Sequence, residues 1–274
     1  PVWRFAATLP AFLEIDPPSY RGMLSTARRE PSVRFGIRLN PVLELVEGLA
    51  IHVAVRDGAG ATLAEREVVA TGAGRIPVAL PLPADAPAGE YAIEAKALRQ
   101  GVFEETARAS FRIVPVRPGQ VFVDQDGVLL DEGRPFFPLG LYHVAASEAE
   151  AAAKTGVNMI QLWNWDASAT NLARIRDLGI RVLYEDQFWG EIVRNHGGNP
   201  AFYDFQTNLA TRARLEALRD DPSRAIAMWY TADEPWVGAV PHIKRMRDMW
   251  HGLDENRPTY IVSTGDPRIG EAAD

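Results

Sequence analysis

Two rhythms of apolar and polar positions divide the chain. Up to about Val116, apolar residues alternate with polar ones in short runs, as in Ser32-Val33-Arg34-Phe35-Gly36-Ile37-Arg38-Leu39 and Ala50-Ile51-His52-Val53-Ala54-Val55-Arg56. Successive side chains of an extended chain point to opposite faces, so this is the pattern of strands with one face buried. Further alternating runs cover Glu90 to Leu98 and Ala107 to Val114. Turn-forming stretches fall between the runs, including Asp57-Gly58-Ala59-Gly60 and Pro83-Ala84-Asp85-Ala86-Pro87-Ala88-Gly89. Strands at this spacing, with no helical stretch between them, predict a β-sandwich over residues 1–116.

After Pro115-Val116-Arg117-Pro118-Gly119, which reads as a linker, the rhythm changes. Continuous apolar runs at Phe136 to Tyr142, Val157 to Trp163, Ile180 to Glu185, Ala225 to Thr231 and Thr259 to Ser263 predict strands buried on both faces. Segments with helical spacing lie between them: Ser147 to Lys154, Ala167 to Leu178, Phe202 to Arg219 and Val240 to Leu253. Gly156 and Gly179 stand where a helix hands over to the next strand, and Pro222 and Pro258 stop the two longer helices. A strand–helix unit read five times predicts a parallel sheet. An open doubly wound sheet would fit the same alternation, but Gly140-Leu141-Tyr142-His143 after the first strand is not a Gly-rich phosphate turn. The expected architecture is therefore a sandwich at 1–116, a linker and leading hairpin at 117–135, and the first five units of a TIM-type (β/α)8 barrel at 136–274.

Composition removes several classes. The 274 residues are 47% hydrophobic and 24% charged, the balance of a globular chain, and the net charge of -7 comes without any Lys/Arg-rich block. Nucleic acid is excluded as a partner on that ground. No apolar run approaches the roughly 18 residues that span a bilayer, so no membrane is expected. Zero cysteines exclude disulfides, thiolate metal sites and a cysteine nucleophile, and leave the compartment open. The start, Pro1-Val2-Trp3-Arg4, reads as trimmed.

Two phrases carry a family resemblance. Val121 to His143, with Gly133-Arg134-Pro135-Phe136-Phe137 before Gly140-Leu141-Tyr142-His143, is similar to the hairpin and first strand of clan A glycoside hydrolases. Met228-Trp229-Tyr230-Thr231-Ala232-Asp233-Glu234-Pro235 falls at the end of the fourth strand, where that clan carries Asn-Glu-Pro. In the first region, Leu82-Pro83 through Gly89-Glu90-Tyr91 resembles the approach to the penultimate strand of immunoglobulin-like modules that accompany many carbohydrate-active enzymes.

The resemblance implies a retaining hydrolase of β-linked glycosides, with Glu234 as general acid/base. It favours a secreted or periplasmic location and needs no cofactor. The family's Asn donates a hydrogen bond to the substrate 2-hydroxyl, whereas an ionised Asp233 can only accept one. Either Asp233 accepts from that hydroxyl or the substrate differs from the usual hexopyranoside. A neighbouring carboxylate favours the protonated form of Glu234, which suits a group that must carry a proton at the start. The alternative reading is purely structural: Asp233 caps the next helix, with acids at the positive end of its dipole.

Barrels place chemistry at the C-terminal ends of their strands. That rule selects His143, Asn164, Trp165, Glu185, Asp186, Trp189, Asp233 and Trp236 as substrate-binding candidates beside Glu234. Carboxylates and amides for ring hydroxyls, with aromatics for C–H faces, make the set fit a carbohydrate. Each has a plainer alternative: a buried, backbone-satisfied histidine for His143, a cap or ion pair for Glu185 or Asp186, simple cover for the tryptophans. Trp163 and Trp229, inside apolar runs, read as core. His196 lacks companions at ligand spacing, so no metal site is expected.

Retention needs a second carboxylate, which the family places after its seventh strand. The stretch from Val121 is far shorter than the roughly 250 residues a complete barrel takes. The chain is thus expected to be cut before the sixth strand, with a missing barrel segment or a second chain completing the fold and supplying the nucleophile. Two other readings stay open: a non-catalytic carbohydrate-binding or scaffolding module on a degenerate barrel, and an inverting hydrolase pairing Glu234 with Glu185 or Asp186.

Overall fold

The computed structural model describes residues 13–27, 31–39, 49–71, 74–99, 102–185, 209–235, 237–263, 265 and 269. The chain forms two compact units. The first comprises residues 1–115 with the four-residue turn 124–127, and the second comprises 116–123 and 128–274.

The first unit is built from two sheets. One is antiparallel, in the order β1 (Leu13–Asp16), β3 (Ser32–Leu39), β6 (Gly74–Pro81). The other runs β2 (Met23–Ser25), β8 (Val102–Val114), β7 (Gly89–Arg99), β4 (Ala50–Asp57), β5 (Thr62–Val69). The alternation in the sequence is realised directly. Val33, Phe35, Ile37 and Leu39 from one sheet share a single buried cluster with Ile51, Val53, Val55, Ile93, Ala95 and Phe111 from the other. Burying these two apolar faces against each other is the main stabilising term of this unit.

The turns are closed by side chains that satisfy their backbone. Asp57 Oδ1 accepts from the backbone N–H groups of Ala59 (3.0 Å) and Ala61 (2.8 Å), with Gly60 left-handed at a φ of 85°. At the start of β7 the Tyr91 hydroxyl donates to the Pro87 carbonyl, 2.7 Å away.

The second unit contains five parallel strands in chain order: β12 (Gly140–Leu141), β13 (Met159–Trp163), β14 (Arg181–Glu185), β15 (Ile226–Asp233) and β16 (Thr259–Val262). Helices occupy the crossovers: α1 (Ala149–Ala153), α2 (Ala169–Asp177), α3 (Leu209–Arg219) and α4 (Val240–Leu253). Ile160, Leu162, Val182, Tyr184 and Trp229 share one core with Ala149, Leu172, Ile175, Leu215 and Trp250 from the helices. Trp229 stacks on Trp250 at 4.3 Å between ring centroids, so Trp229 is core as its apolar setting predicts. Among the described residues no helix is long and apolar enough to cross a membrane.

The first parallel strand is shorter than its apolar run. Expected over Phe136 to Tyr142, it pairs only at Gly140–Leu141. Pro138 has no N–H for a ladder, and Asn158 takes over the neighbouring groups. Its side chain accepts from the Leu139 N–H and donates to the Phe137 carbonyl, each at 2.8 Å. A short antiparallel sheet, β9 (Val121–Val123), β10 (Leu129–Asp131) and β11 (Arg134–Pro135), precedes it. Asp131 of that sheet pairs with the buried Arg181 at the start of β14.

Candidate active site

The C-terminal ends of β12 to β15 bring six of the predicted residues to one side of the second unit: His143, Asn164, Trp165, Glu185, Asp233 and Glu234. Asp186, Trp189 and Trp236 lie outside the described residues, as does His196. Among the described residues no three His, Asp or Glu side chains converge as a metal site.

An aromatic row begins at the end of β12. The Tyr142 and His143 rings stack at 3.9 Å, His143 meets Trp163 at 4.5 Å, and Trp163 stacks on Trp165 at 4.8 Å with 8° between planes. Trp165 is 61% exposed and Tyr142 48%, so the row offers apolar ring surface to solvent rather than closing a core. Trp163 is a correction to its expected role. It is only partly buried, because within β13 it alternates with Ile160 and Leu162, which face the helices.

Beneath that row, Gln161 links two of the candidates. Its side-chain oxygen accepts from the His143 backbone N–H at 2.7 Å, and its amide N–H donates to Glu185. His143 has a φ of 54°, a conformation rare for a residue with a β-carbon, and the Gln161 contact helps hold it there. Asn164 follows in a 3-10 turn with its side-chain oxygen buried and unpartnered in the structure.

A second linkage reaches Asp233. The Tyr230 hydroxyl donates to Asp233 Oδ1 at 2.8 Å, and the Tyr142 and Tyr230 hydroxyls are 3.1 Å apart. Burial, with the Asp233 and Glu185 charges adding to it, pushes the Tyr142 phenol up to about 12. Burial likewise drives Tyr230 upward, with Tyr142 and Asp233 reinforcing the shift. Both phenols are therefore protonated at neutral pH.

The backbone explains how Asp233 and Glu234 reach this position. Pairing of β15 with β16 slips between Tyr230 and Ala232, and the buried Thr231 hydroxyl donates to the Tyr260 carbonyl there, at 3.0 Å. Such a bulge bends a strand and re-aims the side chains beyond it. Glu234 then takes a left-handed φ of 41° while its N–H still donates to the Val262 carbonyl at 3.1 Å. Asp233 is not a helix cap: β15 runs through it, a 3-10 turn at Val237–Ala239 intervenes, and α4 starts after Ala239 without a capping side chain.

Tyr142, Gln161, Trp163 and Tyr230 are site residues that reading the sequence by strand ends passes over. Gln161 had a signal, since a lone amide inside an apolar run needs partners for its four hydrogen-bonding positions.

No family model matches the chain, and no curated protein matches it. Among solved structures it is similar to the β-glucuronidase of Parabacteroides merdae, at 17% identity and a TM-score of 0.40, over 92% of this chain and 33% of that one. It is also similar to the β-D-glucuronidase of Dictyoglomus thermophilum, at 18% identity and a TM-score of 0.39, over 87% of this chain and 43% of that one. A glycosyl hydrolase family 2 member from Bacteroides cellulosilyticus gives 16% identity and a TM-score of 0.37, over 88% of this chain and 36% of that one. The chain spans less than half the length of each of them.

Proposed function

We propose that this chain carries the acid/base half of a retaining glycoside hydrolase acting on β-linked glycosides, with Glu234 as the general acid/base. The observation that carries the reading is the end of β15. There Asp233 and Glu234 follow a strand bulge, Glu234 is held in a left-handed conformation, and a partly exposed aromatic row and Glu185 share the same sheet end. Backbone strain persists where the surroundings over-determine it, and functional sites are where it collects.

On this reading the five parallel strands are the opening part of a TIM-type (β/α)8 barrel, and the attacking carboxylate follows its seventh strand. Glu234 gives its proton to the departing glycosidic oxygen as the bond to the anomeric carbon breaks. It then takes a proton from the water that releases the sugar from the attacking carboxylate. The Tyr142 to Trp165 row stacks on sugar C–H faces. Asp233, His143, Asn164 and Glu185 read ring hydroxyls, with Asp186, Trp189 and Trp236 assigned to the same rim. The first unit is an immunoglobulin-like sandwich, and the Tyr91 hydroxyl bond to the Pro87 carbonyl at the start of β7 supports that assignment.

The test is kinetic. In the full-length gene product, Glu234→Gln is expected to lower kcat/KM on β-glycosides with poor leaving groups by roughly 10²–10⁴-fold. Aryl glycosides whose leaving group needs no proton should lose far less. Product anomers followed by NMR should show retention. A Glu234→Gln variant as active as its parent would leave a carbohydrate-binding module in place of an enzyme.

A further inference from the structure

The proton order of the Tyr142–Tyr230–Asp233 chain restricts what can bind beside Glu234. Tyr230 has one hydroxyl proton, and it goes to Asp233 Oδ1 at 2.8 Å. The 3.1 Å contact between the two phenols must then run from the Tyr142 O–H to the Tyr230 oxygen. Both protons are committed, and neither phenol ionises at neutral pH. What Asp233 Oδ2 and the Tyr142 oxygen can still offer a ligand is lone pairs alone.

Asp233 is exposed, and Tyr142 is about half exposed. The charges of Asp233 and Glu185 both act on the Tyr142 hydroxyl, so the acceptors stand in a field of negative sign. A ligand group placed there must donate hydrogen bonds and is stabilised by positive charge. Because Asp233 adjoins Glu234, that group belongs to the sugar carbon next to the scissile bond.

We infer that Asp233 is a specificity-determining residue that selects a free amine at this position, making the substrate class β-linked 2-amino-2-deoxy glycosides. The inference rests on the hydrolase reading above. An ammonium supplies three donors and a full positive charge, where a hydroxyl supplies one donor that is neutral. An N-acetylated amine has lost the charge, and a uronate brings an anion toward carboxylates.

The test compares 4-nitrophenyl 2-amino-2-deoxy-β-D-glucopyranoside and its galacto epimer with the matching neutral, N-acetylated and glucuronide substrates, on the full-length enzyme. The amine is expected to exceed its neutral counterpart in kcat/KM by roughly tenfold, the ratio set by a charge-assisted hydrogen bond against a neutral one. Asp233→Asn is isosteric and still accepts from Tyr230, so it should fold and bring that ratio to one or below. If neutral and amino glycosides turn over equally, or Asp233→Asn leaves their ratio unchanged, while Glu234→Gln still removes activity, the inference fails and the hydrolase stands. If nothing is turned over, calorimetry with methyl 2-amino-2-deoxy-β-D-glucopyranoside decides. Binding that Asp233→Asn abolishes keeps the amine site, and no binding ends it.

Discussion

Two carboxylates, one in each unit, are held by cations in opposite surroundings. Glu94 lies on the outer face of β7, where Lys96 approaches at 2.9 Å, Arg108 at 2.8 Å and Arg56 at 3.6 Å. Its own side chain is only 9% exposed, but Lys96 and Arg108 reach it from solvent, at 38% and 73% exposed. Asp254, just after α4, is 2% exposed and its partner Arg257 is 3% exposed. Around it the Gln120 amide donates to Oδ1 at 2.7 Å, the Trp229 indole donates to Oδ2 at 3.3 Å, and Arg257 lies 5.4 Å from the Trp229 ring. The first pair adds charge to a sandwich that apolar faces already hold together. The second is built into the core and joins Gln120, before β9, to the end of α4 and to β15. Burial works against the Arg257 charge and Asp254 restores it, so here losing one partner costs more than the pair itself contributes.

The largest expected effect therefore comes from Asp254→Ala. It strands a buried guanidinium and leaves the Gln120 and Trp229 donors without their acceptor. Destabilisation of about 3–5 kcal/mol is expected, read from chemical denaturation followed by tryptophan fluorescence. A loss below about 1 kcal/mol would mean that water reaches Arg257 and that the contrast between the two sites is false.

The same contrast governs how much of the molecule could be read from its sequence. Apolar rhythm is a burial signal, so the alternating runs of the first unit and the five apolar runs of the second appear as strands, and α4 appears at its full extent, Val240 to Leu253. Phe136 to Tyr142 fails because rhythm ignores hydrogen bonding. Pro138 sits inside the run, and only Gly140–Leu141 pairs. Site residues behave likewise. Asp233 and Glu234 stand out because they are polar at a strand end, whereas Tyr142, Trp163 and Tyr230 resemble core by type, and only the strand's alternation separates Trp163 from Leu162. Left-handed backbone at His143 and Glu234 leaves no trace in residue type, since neither is Gly or Asn. Buried partnerships such as Gln120 with Asp254 join residues far apart in sequence, and a single chain carries no signal for them.

A smaller effect tests the exposed side of the comparison. Hydrogen bonds from Lys96 and Arg108 lower the Glu94 carboxyl from its ordinary 4.5 to about 2. The folded value lies below the unfolded one, so the ionised form stabilises the fold above about pH 4.5, and that contribution is lost as pH falls toward 2. Glu94→Gln should cost about 1–2 kcal/mol at pH 7, allowing for screening of partners that solvent reaches. The difference from the parent should shrink through that acid window and also with added salt, in urea titrations at several pH values. A difference that persists at pH 2 would assign the loss to packing instead.

The smallest effect sets the floor of the series. Arg212 and Glu216 are one turn apart on α3, 2.9 Å from each other, and both are solvent-exposed to a third or more. Gln has nearly the helix propensity of Glu, so Glu216→Gln isolates the pair. Losing the pair costs about 0.3–0.5 kcal/mol. Glu216 also stands in the last turn of Leu209–Arg219, where a negative charge opposes the helix dipole, and its removal returns a similar amount. The two terms oppose each other, so denaturation midpoints of parent and variant should coincide. A loss above about 1 kcal/mol would show Glu216 to be coupled to groups beyond Arg212, and would place this helix nearer to Asp254 than to Glu94 in how it uses charge.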